Sequence, residues 1–157
     1  MKIEIDGGHT GIRFSACHFI PRHEKCSRLH GHSYTVRLIL EGSIGEDGMV
    51  MDFVKLKRAL KTLADEFDHR ILLPRLSSEV RLIEEDGEIE VHAGEKRYVF
   101  PTEDVLMLDI SQTTAEEMSQ MMLERIVEDA DLPDNVNSVE LGLDEEMGQT
   151  AWAKLEW

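Results

Sequence analysis

Residues 26–40 read Cys26-Ser27-Arg28-Leu29-His30-Gly31-His32-Ser33-Tyr34-Thr35-Val36-Arg37-Leu38-Ile39-Leu40. From Ser33 to Leu40 the side chains alternate between polar and apolar, and many are β-branched or aromatic, a pattern typical of a strand with one buried face. In an extended segment residues i and i+2 point to the same side, so His30 and His32 can present their imidazoles together. The stretch therefore predicts a strand that begins with two histidines on one face.

The flanking sequence predicts one more strand and two helices. Residues 12–19 have a strand pattern that ends near His18, and a polar loop at 21–27 follows. The first helix is predicted after an N-cap at Asp52, from apolar residues at offsets of three and four: Phe53, Leu56, Leu60, Leu63 and Phe67. The second is predicted to begin at Thr113 or Thr114, where Thr113-Thr114-Ala115-Glu116 matches a capping box, with the stripe Ala115, Met118, Met122 and Ile126.

Further strands are predicted between and after the helices. Residues 88–92 and 97–100 flank Ala93-Gly94-Glu95-Lys96 and predict a small hairpin, and residues 139–143 and 151–157 predict two final strands. The order strand, strand, helix, hairpin, helix, strand, strand favours an α+β domain with an antiparallel sheet. Two helices cover only one face of such a sheet. We therefore expect the other face to be polar or to meet a partner chain.

Length and composition favour one acidic globular domain over residues 1–157. The chain has 17 Lys and Arg against 32 Asp and Glu, a net charge of −15, and 41% hydrophobic residues. This charge argues against general binding to nucleic acids or anionic membranes. No apolar run is long enough to span a bilayer, and the N-terminal residues alternate like a strand and lack the apolar run of a signal peptide. With only Cys17 and Cys26 as thiols, the sequence predicts a cytoplasmic protein.

The segment from Gly7 to Leu40 has the opposite charge from the rest of the chain. It holds five basic residues and one acidic residue, a net +4, together with five of the seven histidines. This clustering favours a local site for an anion or a metal ion.

His18, His30 and His32 are the candidate metal ligands. His18 ends one predicted strand, and the other two begin the next, so three imidazoles can meet at one point. Three neutral nitrogen ligands leave a zinc ion its full charge and an open position for water or substrate. Two alternatives stay open: the histidines are ordinary surface residues, or Cys26 is a fourth ligand that closes a structural zinc site.

Four motifs occur in an order that resembles the 6-pyruvoyl-tetrahydropterin synthase family, which includes the 6-carboxy-tetrahydropterin synthases of queuosine and archaeosine biosynthesis. The motifs are Phe14-Ser15-Ala16-Cys17-His18, Cys26-x3-His30-Gly31-His32, Gly48-Met49-Val50-Met51-Asp52-Phe53 and Phe67-Asp68-His69-Arg70. The resemblance covers nearly the whole chain, with an insertion at about 74–107. It implies a tunnelling fold: a four-stranded antiparallel sheet with two helices on one face, here with an inserted hairpin, that oligomerises as a trimer or hexamer into a β-barrel.

The family resemblance also implies roles for individual residues. His18, His30 and His32 resemble the zinc ligands, Cys26 the catalytic thiol, and Asp68 with His69 the rest of the proton-transfer set. The implied substrate is dihydroneopterin triphosphate, whose vicinal hydroxyls can chelate a Lewis acid.

In the family a glutamate binds the pterin and is followed six positions later by an alanine. Glu145, with Ala151, matches this glutamate best. Glu146 and Glu140 stay possible substitutes, because the residues after Glu145 depart from the family pattern. Thr114 and Glu116 match the family's Thr-x-Glu; Glu116 either contacts the pterin or only closes the capping box. Arg28, with Lys25 and Arg22, is the candidate for the triphosphate.

The three-residue interval between Cys26 and His30 resembles the carboxy-forming branch of the family. We therefore expect a zinc-dependent carbon–carbon lyase that converts dihydroneopterin triphosphate to 6-carboxy-tetrahydropterin, acetaldehyde and triphosphate. The alternatives are a 6-pyruvoyl-tetrahydropterin synthase, which eliminates triphosphate, and a zinc- or pterin-binding module without turnover.

Overall fold

The alternating segments of the sequence form the long strands of the protein. A computed structural model describes all 157 residues. The strands are β1 (Lys2–Asp6), β2 (Arg13–His18), β3 (His30–Gly42), β4 (Arg70–Pro74), β5 (Val80–Glu85), β6 (Glu88–Ala93), β7 (Lys96–Pro101), β8 (Val105–Leu108), β9 (Val136–Glu146) and β10 (Gln149–Glu156). The helices are the one-turn α1 (Gly7–Thr10), α2 (Phe53–Phe67) and α3 (Ala115–Asp129), with a 3-10 turn at Thr102–Asp104. None of them is long and apolar enough to cross a membrane.

The main sheet has seven strands, not the four that were predicted. Its order is β10-β9-β3-β2-β4-β8, and β1 also pairs with β3. β1 and β2 pair with different parts of β3, along the same edge of that strand. β9 pairs with the other edge of β3, and β10 pairs with β9, so these five strands form an antiparallel block. β4 and β8 extend this block beyond β2 as parallel strands. The fold is thus mixed α+β, with a larger sheet than the residue pattern indicated.

A separate three-stranded antiparallel sheet, β5-β6-β7, lies within the predicted insertion. The predicted hairpin is confirmed as β6 and β7. β5 was not predicted, although Asp86-Gly87 joins it to β6 through two residues with positive φ, 50° and 81°. An Asp-Gly pair is the usual signature of such a tight hairpin turn.

Helices α2 and α3 cover one face of the main sheet. Asp52 caps α2 by accepting a hydrogen bond from Val54 N at 2.7 Å, as predicted. Phe53 does not join the buried stripe: it is 47% exposed, because the whole first turn of α2, residues 53–55, lies outside the core. The stripe instead begins at Leu56 and includes Ala64. Thr114, not Thr113, caps α3.

The opposite face of the sheet is polar. Arg37 Nε donates to Asp144 Oδ2 at 3.1 Å, and its Nη1 donates to Asp6 Oδ2 at 3.4 Å. Trp152, 46% exposed, lies over Gly142, where a Cβ atom would come within 2.9 Å of the indole ring. This face has no covering element of its own chain, in keeping with the expectation of a polar surface or a partner there.

Candidate metal centre and adjacent clefts

The register between β2 and β3 places three imidazoles on one face of the sheet. His18 lies opposite His30, and Ala16 lies opposite His32. The ligand nitrogens of His18, His30 and His32 all lie within 4.8 Å of one another. The ring centroids are separated by 4.6 Å for His18–His30, 5.3 Å for His18–His32 and 5.0 Å for His30–His32. No thiol belongs to this cluster.

Backbone carbonyls orient two of these rings. His18 Nδ1 donates to Thr113 O at 2.7 Å, and His30 Nδ1 donates to Arg28 O at 2.7 Å. Because a carbonyl oxygen only accepts, we assign the proton to Nδ1 in both rings, which leaves the Nε2 lone pair free. His32 Nε2 is buried and has no hydrogen-bond partner. Such a set of oriented imidazoles fits a zinc ion, since Nδ1 contacts of this kind accompany metal-ligating histidines.

Burial keeps His18 neutral. Its side chain is fully buried, and this burial, with smaller effects from His30 and His32, lowers the pKa of His18 from 6.5 to about 4. Tyr34 is also buried and its hydroxyl lies 3.4 Å from His18 Nε2. Burial and the neighbouring Glu145 carboxylate raise the pKa of Tyr34, so its hydroxyl stays neutral. At neutral pH His18 therefore presents an uncharged nitrogen donor to the cluster.

Glu145, near the end of β9, is the carboxylate nearest the histidines. Its Oε1 atom lies 3.4 Å from His18 Nε2 and 3.6 Å from His32 Nε2. It borders a cleft of about 590 Å³, which we call the Glu145 cleft and which is lined by Ile20, Thr114, Ala115, Glu116, Glu145, Gln149, Thr150, Ala151 and Trp152. A cleft of this volume can hold a ligand of the size of a pterin.

Their contacts distinguish the other candidate carboxylates near the Glu145 cleft. Glu117, not Glu116, accepts hydrogen bonds from the backbone before α3, at Ser111 N and Gln112 N. Glu116 is therefore free to face the Glu145 cleft with Thr114. Glu140 pairs with Lys154 at 3.5 Å, and Glu146 is exposed, 3.6 Å from His32 Nδ1. Glu145 alone among the three alternatives lines the cleft.

Asp68 and His69 form a dyad directly after α2. Asp68 Oδ1 accepts from Ser15 N at 2.8 Å, and His69 Nδ1 donates to Asp68 Oδ2 at 2.8 Å. The Ser15 hydrogen bond, followed by that of His69, lowers the pKa of Asp68 below its usual value. His69 has a φ of 58°, a left-handed conformation that is uncommon for a residue other than glycine. The dyad therefore holds an exposed imidazole in a fixed orientation beside an ionised carboxylate.

His69 lines a second cleft, of about 560 Å³, on the side of β2 that bears Cys17. This His69 cleft is lined by Ser15, Ala16, Cys17, Gly31, His32, Ser33, His69, Arg70, Ile71 and Asp104. His32 borders it and also approaches Glu145, which borders the other cleft. Cys17 and His18 point to opposite sides of β2, as the strand alternation predicted.

Cys26 is not brought into either cleft. It is half-buried in the loop between β2 and β3, where its carbonyl accepts from Ile20 N at 2.7 Å. Arg28 is exposed in the same loop, and its carbonyl holds His30. The structure thus brings together the three histidines, Glu145, Glu116 and Thr114. It leaves Cys26 and Arg28 outside both clefts, whereas His69 of the dyad shares the His69 cleft with His32.

Two residues of the centre were missed by sequence reasoning. Tyr34 follows His32 by two positions on the same strand, so alternation alone places it on the histidine face. Thr113 supplies the carbonyl for His18 and is itself fully buried, with its hydroxyl donating to Phe19 O at 3.2 Å. No local pattern indicates this contact, because it joins residues that are 95 positions apart.

Comparison with known proteins shows extended similarity. A family model described as 6-pyruvoyl tetrahydropterin synthase matches residues 9–156. A putative 6-carboxy-5,6,7,8-tetrahydropterin synthase of Methanocaldococcus jannaschii is 34% identical over 154 residues, which cover 96% of this chain and 94% of that protein. A probable 6-carboxy-5,6,7,8-tetrahydropterin synthase of Halobacterium salinarum is 33% identical over 146 residues, 92% of this chain and 84% of that protein.

A solved structure has the same fold over the full length. The crystal structure of 6-pyruvoyl tetrahydropterin synthase from Plasmodium vivax superposes with a TM-score of 0.93 at 28% identity, covering 100% of this chain and 98% of that chain. The β5–β7 sheet is therefore included in the similarity and is not peculiar to this chain.

Proposed function

Because the chain belongs to the 6-pyruvoyl tetrahydropterin synthase family, we propose that it is a zinc-dependent 6-carboxy-tetrahydropterin synthase. It acts on 7,8-dihydroneopterin triphosphate and one water as a carbon–carbon lyase and releases acetaldehyde and triphosphate, in a deazapurine pathway of the queuosine or archaeosine type. The observation that carries the proposal is the cluster of three imidazoles with Glu145 beside it at the border of a cleft. The relatives from Methanocaldococcus jannaschii and Halobacterium salinarum are both named as 6-carboxy-tetrahydropterin synthases, which supports this branch. The structural likeness to a 6-pyruvoyl synthase supports the alternative product.

His18, His30 and His32 would hold the zinc ion through their Nε2 atoms. When bound there, zinc supplies a Lewis acid that polarises the hydroxylated side chain of the substrate. The carbonyls of Thr113 and Arg28 keep two of the rings in the required tautomer. The burial of His18 keeps that ring deprotonated at neutral pH, so no proton competes with the metal.

Glu145 would bind the pterin ring. The 2-amino group and N3–H of a pterin form two parallel donors, which a carboxylate accepts as a bidentate pair. Thr114 and Glu116 line the same cleft and are the further candidates for pterin contacts. Arg28 lies exposed in the basic loop and is the candidate for the triphosphate.

Cys26, Asp68 and His69 would move the protons. Cys26 is the candidate catalytic thiol, and Asp68 orients His69 so that its other ring nitrogen is left to exchange a proton. These groups lie outside the Glu145 cleft within one chain. We propose that the chain assembles as a trimer or hexamer through the uncovered polar face and sheet edges, and that it works in the cytoplasm.

Product analysis tests the proposed function directly. Purified protein loaded with zinc is incubated with 7,8-dihydroneopterin triphosphate, and the products are identified by mass. We expect 6-carboxy-tetrahydropterin with acetaldehyde in equal amounts. A 6-pyruvoyl product without acetaldehyde would establish the alternative branch, and an unconsumed substrate would indicate a binding module.

Glu145→Gln is expected to weaken substrate use without removing zinc. The amide replaces one acceptor oxygen by a donor, so one of the two pterin hydrogen bonds becomes a repulsive donor–donor contact. Loss of a charge-assisted pair of this kind corresponds to about a hundredfold in kcat/KM, mostly in KM. Glu146→Gln, on the adjacent exposed carboxylate, is the matched control and should change kcat/KM by less than about threefold. An equal effect of both variants would contradict the assignment of Glu145.

A further inference from the structure

The β5–β7 sheet packs against the loop that carries Cys26. A second hydrophobic cluster joins this sheet to Phe19, the first residue after β2, which is only 1% exposed. The Phe19 ring stacks on Tyr98 of β7 with centroids 5.7 Å apart, and Tyr98 stacks in turn on Phe100 at 5.8 Å. The start of the Cys26 loop is therefore anchored in the core of the β5–β7 sheet.

Polar contacts join the same sheet to the rest of the loop. Lys96, the first residue of β7, donates from Nζ to the carbonyl oxygen of Ser27 at 2.5 Å, with the Ser27 hydroxyl 3.4 Å away. Arg22 forms an ion pair with Glu79, just before β5. Glu79 is fixed in turn by Gln112 Nε2 at 3.2 Å.

The backbone around Cys26 is otherwise held only within the loop itself. Cys26 O accepts from Ile20 N at 2.7 Å, Cys26 N donates to His23 Nδ1 at 3.1 Å, and Ser27 N donates to His23 O at 3.1 Å. The carbonyl of Ser27, the residue after Cys26, instead accepts a hydrogen bond from Lys96, outside the loop. Lys96 is thus the polar link between the Cys26 segment and the β5–β7 sheet.

We propose that the β5–β7 sheet positions the Cys26 thiol, and that Lys96 is the positioning residue that fixes the backbone next to it. The proposal rests on the catalytic role proposed above for Cys26. Lys96 acts through the Ser27 carbonyl and takes no part in proton transfer. A displacement of about 1 Å at a reacting group costs up to about a hundredfold in rate. Because the other contacts of the Cys26 loop remain, we expect the loss of the Lys96 contact alone to cost about tenfold.

Lys96→Met tests this role, since methionine keeps an apolar stem and removes the donor. We expect kcat for dihydroneopterin triphosphate to fall about tenfold with KM changed less than about twofold. The rate of Cys26 alkylation by iodoacetamide, followed by peptide mass mapping, should change at least about threefold, and hydrogen exchange at the Ile20 and Ser27 amides should become faster. Lys96→Arg should retain most of kcat and keep the alkylation and hydrogen-exchange rates close to those of the wild type.

Glu95→Ala is the matched control, because Glu95 is exposed in the same hairpin turn and its side chain forms no hydrogen bond or ion pair. It should leave kcat, alkylation and exchange unchanged. Unaltered alkylation and exchange in Lys96→Met would overturn the positioning role, whatever the activity. If Cys26→Ala retained turnover while Lys96→Met altered loop exchange, the catalytic assignment of Cys26 would fail and the structural link would stand.

Discussion

Cys26→Ala is expected to abolish turnover of dihydroneopterin triphosphate while zinc content stays near one ion per chain. A positioned acid or base contributes about 10² to 10⁴ in rate, and we expect a loss of about a thousandfold in kcat. The ligand cluster consists of three imidazoles and contains no sulfur. Removal of the thiol should therefore leave the metal donors intact.

The measurement combines steady-state kinetics with zinc quantification by mass spectrometry on the same preparation. Glu24→Ala is the matched control, since Glu24 is exposed in the same loop and its side chain forms no hydrogen bond or ion pair. It should keep both zinc and turnover. Loss of zinc together with turnover would place Cys26 among the ligands and favour a closed structural site. Retained turnover would remove Cys26 from the chemistry altogether.

Local periodicity predicted the parts of the fold that depend on neighbouring residues. Tyr34 to Leu40 alternate within β3, and α2 follows its apolar stripe from Leu56 to Phe67. β4 and β8 were missed because their apolar runs, such as Ile71-Leu72-Leu73, have no alternation and pair in parallel with strands distant in sequence. A short apolar run of this kind cannot be told from a piece of buried helix by its pattern alone.

In the candidate site, too, local contacts could be predicted from the sequence and long-range contacts could not. The approach of His30 to His32 follows from strand alternation, and that of His18 follows from the antiparallel register beside it. The proximity of Glu145 to His18 depends on the pairing of β3 with β9, and the tautomer of His18 depends on a carbonyl before α3. The position of Cys26 outside the Glu145 cleft depends on the loop between β2 and β3, which has no helix or strand periodicity. It also depends on the contact of that loop with Lys96, which lies 69 positions from Ser27.

His32→Ala is expected to remove both bound zinc and activity. The variant deletes one of three nitrogen donors, and two imidazoles are too few to hold a catalytic zinc ion. Zinc should fall from about one ion per chain to near zero after dialysis. A Lewis acid worth several kcal/mol in the transition state corresponds to about a thousandfold in kcat/KM.

Folding should survive this change, so the loss can be assigned to the metal. His32 Nε2 is buried without a hydrogen-bond partner, and such an atom destabilises a protein that binds nothing there. The metal-free His32→Ala protein should therefore unfold at the same or a higher denaturant concentration than the metal-free wild type. His9→Ala, which removes a histidine whose side chain is 89% exposed, should keep zinc and turnover. Full zinc occupancy in His32→Ala, or wild-type turnover after complete chelation, would contradict the three-histidine centre. Without that centre Glu145 would lie beside imidazoles that have no shared ligand to explain their convergence.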